Sequence, residues 1–158
     1  MEVQTTRFGA TKIDDNAVLT FTQPIIGFRE FRRFVLLPGP TDGAIVWLQS
    51  TESAELAFIL MDPTGVMPEY TVKLAEHELA ELAVSTVDDL EIYTIVVVPD
   101  DRSKVRTNLK APILINKDRQ LAKQTILDKT DYPVQFFLEQ AQQGMEEPKE
   151  ASNARSDA

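Results

Sequence analysis

Residues 104 to 116 read Lys104-Val-Arg-Thr-Asn-Leu-Lys-Ala-Pro-Ile-Leu-Ile-Asn116, and their periodicity decides the fold class. Val105, Thr107, Leu109, Ala111, Ile113 and Ile115 are apolar or β-branched, whereas the even positions up to Lys110 are polar or charged. Alternation with period two predicts an extended segment with one face on a core and one in water. Pro112 has no N–H for a ladder, so the strand must lie at an edge there or be interrupted by a bulge. Leu114 makes both faces apolar beyond it, which places the second half deeper in the protein.

Short extended runs surround this stretch, and those at 45–49, 56–61 and 90–98 are apolar on both faces, as covered strands are. Strands are predicted over 2–8, 17–21, 34–37, 45–49, 56–61, 69–74, 90–98 and 121–127, the last as the hairpin partner of 104–116 after a turn at 117–119. Gly9 and Asp14-Asp-Asn16 supply early turns, Thr22 to Phe28 reads as a loop bracketed by Pro24 and Gly27, and 29–33 reads as one helical turn. Ala75, Leu79, Leu82 and Ala83 fall on one face of a predicted helix over 75–83, leaving Glu76, Glu78 and Glu81 for solvent. Pro133 is suited to the first turn of a second helix, continued by Val134, Phe137, Leu138 and Ala141. Many strands and only two helices predict a mostly β protein, a small antiparallel or mixed barrel-like domain over 1–143. Residues 144–158 are polar and acidic, with Met145 the sole large apolar residue, and are expected to be a disordered tail.

Composition removes several kinds of chemistry. With no cysteine there is neither a disulfide framework nor a thiolate site. The start of the chain lacks the basic and apolar segments of a signal peptide, and no run approaches the roughly 18 apolar residues of a membrane span, so a cytoplasmic location is expected. The net charge of −9 opposes general nucleic-acid binding and favours basic partners. The single histidine, His77, reads as a solvated neighbour of glutamates. No phosphate-binding glycine loop or nucleophile elbow occurs. The expectation is a protein that is not an enzyme and has no cofactor or metal.

Charge is unevenly distributed. Glu76, Glu78, Glu81, Asp88, Asp89 and Glu91 lie in a segment without Lys or Arg, and eight basic residues lie between Arg102 and Lys129. The first group reads as a surface that guides a basic partner, against the alternative of an ordinary solvated face. On that reading, reversing Glu78, Glu81 and Asp88 to Lys should slow association and leave folding intact. The second group leaves open a nucleic-acid-binding module, although it lacks stacking aromatics. A small-molecule-binding barrel would need an internal pocket with convergent polar groups. Trp47 and Phe58 are assigned to the core, and Pro24, Gly27, Pro63, Pro112 and Pro133 to turns and strand ends. Asn108 and Lys110, outward on the long strand, are the single-residue contact candidates there.

The stretch Thr107-Asn-Leu-Lys-Ala-Pro-Ile-Leu-Ile-Asn116 resembles the signature strand of the flagellar assembly factor FliW family. Phe21-Thr-Gln-Pro-Ile-Ile-Gly-Phe28, Phe34-Val-Leu-Leu-Pro38, Trp47-Leu-Gln-Ser50, Leu56-Ala-Phe58, Asp62-Pro63, Val97-Val-Pro99, Gln124-Thr-Ile-Leu127 and Asp131-Tyr-Pro133 resemble it in the expected order, over about residues 1 to 138. Thr22-Gln23 departs from the pair usual in the family, and the end after Glu139 has no counterpart. The resemblance implies an interaction protein that binds the RNA-binding repressor CsrA and also flagellin. Accumulating flagellin would then withdraw the protein from CsrA and silence flagellin synthesis, with CsrA inhibited away from its RNA-contacting surface. Charged outward faces further predict a monomer when unbound.

Overall fold

The computed structural model describes residues 1–39 and 44–139. The proposed boundary at 143 and the expected tail over 144–158 lie outside them. The element order begins with β1 (Glu2–Thr5), β2 (Gly9–Lys12), β3 (Val18–Gln23), β4 (Arg33–Pro38), β5 (Ile45–Ser50) and β6 (Ala57–Met61). It continues through α1 (Glu76–Glu81), β7 (Glu91–Val97), β8 (Arg106–Thr107), β9 (Ile113–Asn116), β10 (Leu121–Gln124) and β11 (Phe136–Phe137). Strands β3, β4, β5, β6, β7, β9 and β10 close into a seven-stranded barrel. Every neighbouring pair in it is antiparallel except β10 with β3, which makes the barrel mixed.

Alternation along each barrel strand fills the interior. Phe21, Phe34, Leu48, Leu60, Ile113 and Ile115 are fully buried and belong to one cluster, with Phe58 packed against it. The Phe21 and Phe34 rings meet edge to face with centroids 5.2 Å apart, a favoured aromatic geometry. Side chains therefore occupy the space that a small-molecule barrel would reserve for its ligand.

Two covers bury the outer faces. The β1–β2 hairpin lies over β4, where Val3, Ile13, Val35 and Leu37 cluster with Trp47 at their margin. Trp47 is thus half-buried outside the barrel and not in its interior core; Arg7 stacks 3.9 Å from its ring centroid. The second cover runs from Met67 to Leu90 and contributes Tyr70, Val72, Leu82 and Leu90, which pack with Leu109, Leu114 and Leu127. Leu114 points away from the barrel interior into this cover, which explains why both faces of β9 are apolar.

The deciding stretch departs from the single strand expected. Thr107 stands opposite Val96 and Ile113 opposite Tyr93. Two residues of β7, Thr94 and Ile95, therefore face five residues, Asn108 to Pro112: an enlarged bulge in a shared edge. The Asn108 carboxamide oxygen accepts from the N–H groups of Lys110 and Ala111 at 3.0 and 3.1 Å, a side-chain turn that competes with the ladder. Pro112, unable to donate, ends the excursion, and Leu109 is buried under the second cover.

Other expectations are corrected. Residues 69–74 form no ladder; Tyr70 and Val72 are buried, and the Tyr70 hydroxyl donates to the Leu109 carbonyl at 2.6 Å. Pro133 does not open a helix directly: Phe136–Phe137 pairs with β8, because Thr107 and Arg106 still have an open edge beyond the bulge. Residues 29–33 hold no helical turn; tight turns close at Phe28 and Phe31 before Arg33 enters β4. The helix is shorter than 75–83, and its apolar face reduces to Leu82, buried, and Leu79, half-buried, with Ala75 and Ala83 exposed. Residues 9–12, expected between the first two strands as a turn region, form strand β2 instead. Gly9, at φ +68°, makes the reversal that starts it.

Candidate partner-binding surfaces

The acidic segment divides into two parts with different surroundings. Helix α1 lies against β10, and this turns Glu78 and Glu81 toward Lys123, a strand residue only 7% exposed. The Lys123 Nζ donates to Glu81 Oε1 at 3.2 Å and Glu78 Oε2 at 3.5 Å. The hydroxyl of Thr125 donates to Glu78 Oε2 at 2.7 Å, and that of Thr22 to Glu81 Oε2 at 2.7 Å. Burial pushes the Glu78 carboxyl up, but Thr125, the Ala75 N–H and Lys123 outweigh it and hold it below the ordinary range. Burial acts in the same direction on Glu81, and Thr22 with Lys123 again wins. The expectation that both face solvent without a counter-charge is therefore overturned. Their counter-charge comes from a residue more than forty positions away, which no window of local sequence contains.

Glu76 remains exposed on the first turn of α1. Asp88 and Asp89 lie exposed on a 3-10 turn over Val87–Asp89, where the Thr86 hydroxyl approaches Asp89 Oδ2 at 3.4 Å. Glu91, at the start of β7, pairs with Lys117 at 3.0 Å and accepts from the Tyr93 hydroxyl at 2.7 Å. The six carboxylates thus reduce to three exposed without an ion pair among the described residues: Glu76, Asp88 and Asp89.

Asn108 and Lys110 are not outward ladder residues. Asn108 shapes the bulge with its own side chain. Lys110 extends its Nζ to the Thr130 carbonyl at 3.2 Å, while its backbone carbonyl accepts from the Leu127 N–H at 2.8 Å. Both are half-buried: Asn108 braces the bulge from within, and Lys110 ties it to 127–130. The basic residues of 102–129 do not make one stripe either. Lys123 is buried in its ion pairs and Lys117 is neutralised by Glu91.

Sequence reasoning passed over the residues around loop 24–29. Gly27 adopts φ +89°, where a side chain would be strained, so the loop folds sharply and exposes Ile26. Gln124, at the end of β10, accepts from the Ile26 N–H at 2.9 Å through Oε1 and donates to the Ala111 carbonyl at 3.1 Å through Nε2. One amide thus ties the loop to the bulge. The local signal was present, an apolar pair between Pro24 and Gly27, but its exposure depends on the partner elements.

A filled mixed barrel with two outer covers and an enlarged bulge in its shared edge defines the class: a small β-barrel whose interior is closed by its own side chains. The family model described as FliW protein matches residues 2–138, and the chain belongs to the FliW family. A flagellar assembly factor FliW from Ruminiclostridium cellulolyticum is 37% identical over 139 residues, covering 87% of this chain and 94% of that protein. One from Syntrophotalea carbinolica is 39% identical over 133 residues, covering 84% and 94%. A crystal structure of the flagellar assembly factor FliW superposes with a TM-score of 0.80 at 33% identity, covering 87% of this chain and 96% of that one. No helix among the described residues is long and apolar enough to cross a membrane.

Proposed function

We propose that this chain is a flagellar assembly factor that works by binding other proteins, in the cytoplasm and as a monomer when free. Its partners on this reading are the translational repressor CsrA and flagellin, and it relieves repression by switching between them. The observation that carries the proposal is the family match over 2–138, which takes in the barrel and both covers. Control needs no chemistry of its own: two complexes that exclude one another suffice, since each partner withdraws the chain from the other by mass action. A repressor that holds RNA must be basic. Within the acidic segment 76–91, Glu76, Asp88 and Asp89 are the carboxylates left exposed without an ion pair to attract it.

Co-purification of the tagged full chain from cells, with the bound proteins identified by mass, tests the reading. Both partners should be recovered, and added flagellin should reduce the amount of repressor retained. Recovery of neither partner would remove the proposal.

A further inference from the structure

Seven large apolar residues are exposed among the described residues, and four of them border one chain of adjoining grooves. These are Ile26, Val97, Ile126 and Val134, with exposures of 61%, 43%, 50% and 57%. The first groove, of about 360 Å³, has Phe28, Phe58 and Ile95 in its lining, between loop 24–29 and Val134. Ile25, Ile26 and Gln124 carry it into a second, of about 770 Å³, beside α1. Glu78, Thr125, Ile126 and Asp128 continue into a third, of about 740 Å³, toward Tyr132. Apolar side chains gathered along a furrow mark a protein-docking surface more than scattered ones do. The Gln124 clamp between loop and bulge means that the furrow is formed before a partner arrives, which lowers the ordering cost of binding.

The charge along this furrow is opposite to that of the whole chain. Arg106 lines the first groove, Arg29 the second, and Lys73 and Lys129 the third, and none of the four belongs to an ion pair among the described residues. Apart from Glu78, which shares the Lys123 ammonium with Glu81, Asp128 is the one carboxylate in the three linings. A chain with a net charge of −9 has therefore placed unneutralised cations where its exposed apolar residues gather.

We propose that these grooves dock a protein segment whose apolar side chains fill the furrow and whose carboxylates meet Arg29, Lys73, Arg106 and Lys129. A basic, RNA-binding partner would meet like charge here, which opposes the encounter. Resting on the two-partner reading above, the furrow therefore belongs to flagellin, and the repressor approaches the side carrying Asp88 and Asp89, which line none of the three grooves. The two sites are distinct surfaces of one barrel, so exclusion between partners arises from their bulk or through the chain rather than from a shared groove.

The test measures binding of purified flagellin and purified repressor to the full chain and to two double variants. Ile26→Asp with Ile126→Asp puts charge into the apolar furrow at exposed positions. Arg29→Glu with Lys129→Glu inverts the rim and leaves the apolar residues in place. Each should weaken flagellin binding by at least about tenfold, the scale of a lost interface anchor, while repressor affinity stays within about twofold and the thermal midpoint is retained. Flagellin affinity within about twofold of wild type in both variants would overturn the assignment, as would a loss confined to the repressor. Wild-type protein that binds neither partner would instead overturn the two-partner reading, and this assignment with it.

Discussion

Glu78 and Glu81 on one side, and Asp88 and Asp89 on the other, are equivalent in a reading of charge along the chain, yet the fold gives them opposite work. The first pair is turned onto β10, where one nearly buried ammonium and two hydroxyl donors hold both carboxylates. The second pair stands on a short turn facing water. A cluster of like charge is thus a surface only where no other element reaches it. The same segment carries a structural ion-pair network at Glu78 and Glu81 and an exposed acidic turn at Asp88 and Asp89.

The largest separation between the pairs should come from Lys123→Met. Removing the shared cation leaves two carboxylates close together in a partly desolvated site, and loss of one member of a buried pair costs about 3–5 kcal/mol. Partial exposure of Glu78 and Glu81, with side chains at 19% and 25%, brings the expected loss to about 2–3 kcal/mol by urea denaturation. A loss below about 0.5 kcal/mol would show that the network is no stronger than an exposed pair. The charge reversal of Glu78, Glu81 and Asp88 now divides accordingly. Reversing the two glutamates sets three ammonium groups together and should destabilise the fold, contrary to the expectation that all three are surface changes.

Acid should distinguish the pairs next. The folded Glu78 and Glu81 are held below the ordinary value of 4.5, so the unfolded chain binds their protons more readily. Their contribution is complete above about 4.5 and fades as the pH falls through the lower folded values. The thermal midpoint should drop across that window, and the part of the drop due to this pair should shrink in a Glu78→Gln, Glu81→Gln variant. An identical acid profile in that variant would place the acid-sensitive groups elsewhere.

A smaller effect is expected where α1 ends, between the two pairs. Ala83 adopts φ 60°, with its N–H donating to the Ala80 carbonyl and the Val84 N–H to the Leu79 carbonyl, the double closure of a Schellman cap. That position favours glycine, so Ala83→Gly should stabilise by about 0.5–1 kcal/mol, even after glycine's greater freedom in the unfolded chain is counted. A lower melting temperature in the variant would mean that the Ala83 methyl contributes packing that outweighs the strain. The smallest change in stability, within about 0.5 kcal/mol, belongs to Asp88→Lys with Asp89→Lys. Its readout is kinetic: association with the repressor should slow and lose part of its salt dependence. An unchanged association rate would make these two residues plain solvated surface.

Local pattern by itself determined most of the barrel. The alternation in 104–116 and the short apolar runs at 34–37, 45–49, 56–61 and 90–98 placed strands that the structure contains, because side-chain pattern reports which faces meet a core. Pro112 correctly marked an interruption, and the turn at 117–119 correctly joined β9 to β10. The tertiary structure alone decided matters set by distant neighbours. Phe136–Phe137 became a strand because β8 offered an open edge, although Pro133 is equally suited to begin a helix. Asn108 turned from an outward contact into the hinge of a five-residue bulge because Leu109 found the outer cover. Glu78 and Glu81 left solvent because Lys123, Thr125 and Thr22 arrive from other strands. Charge along a chain is visible locally, but the medium around that charge depends on which elements pack against it, and only the closed barrel specifies those.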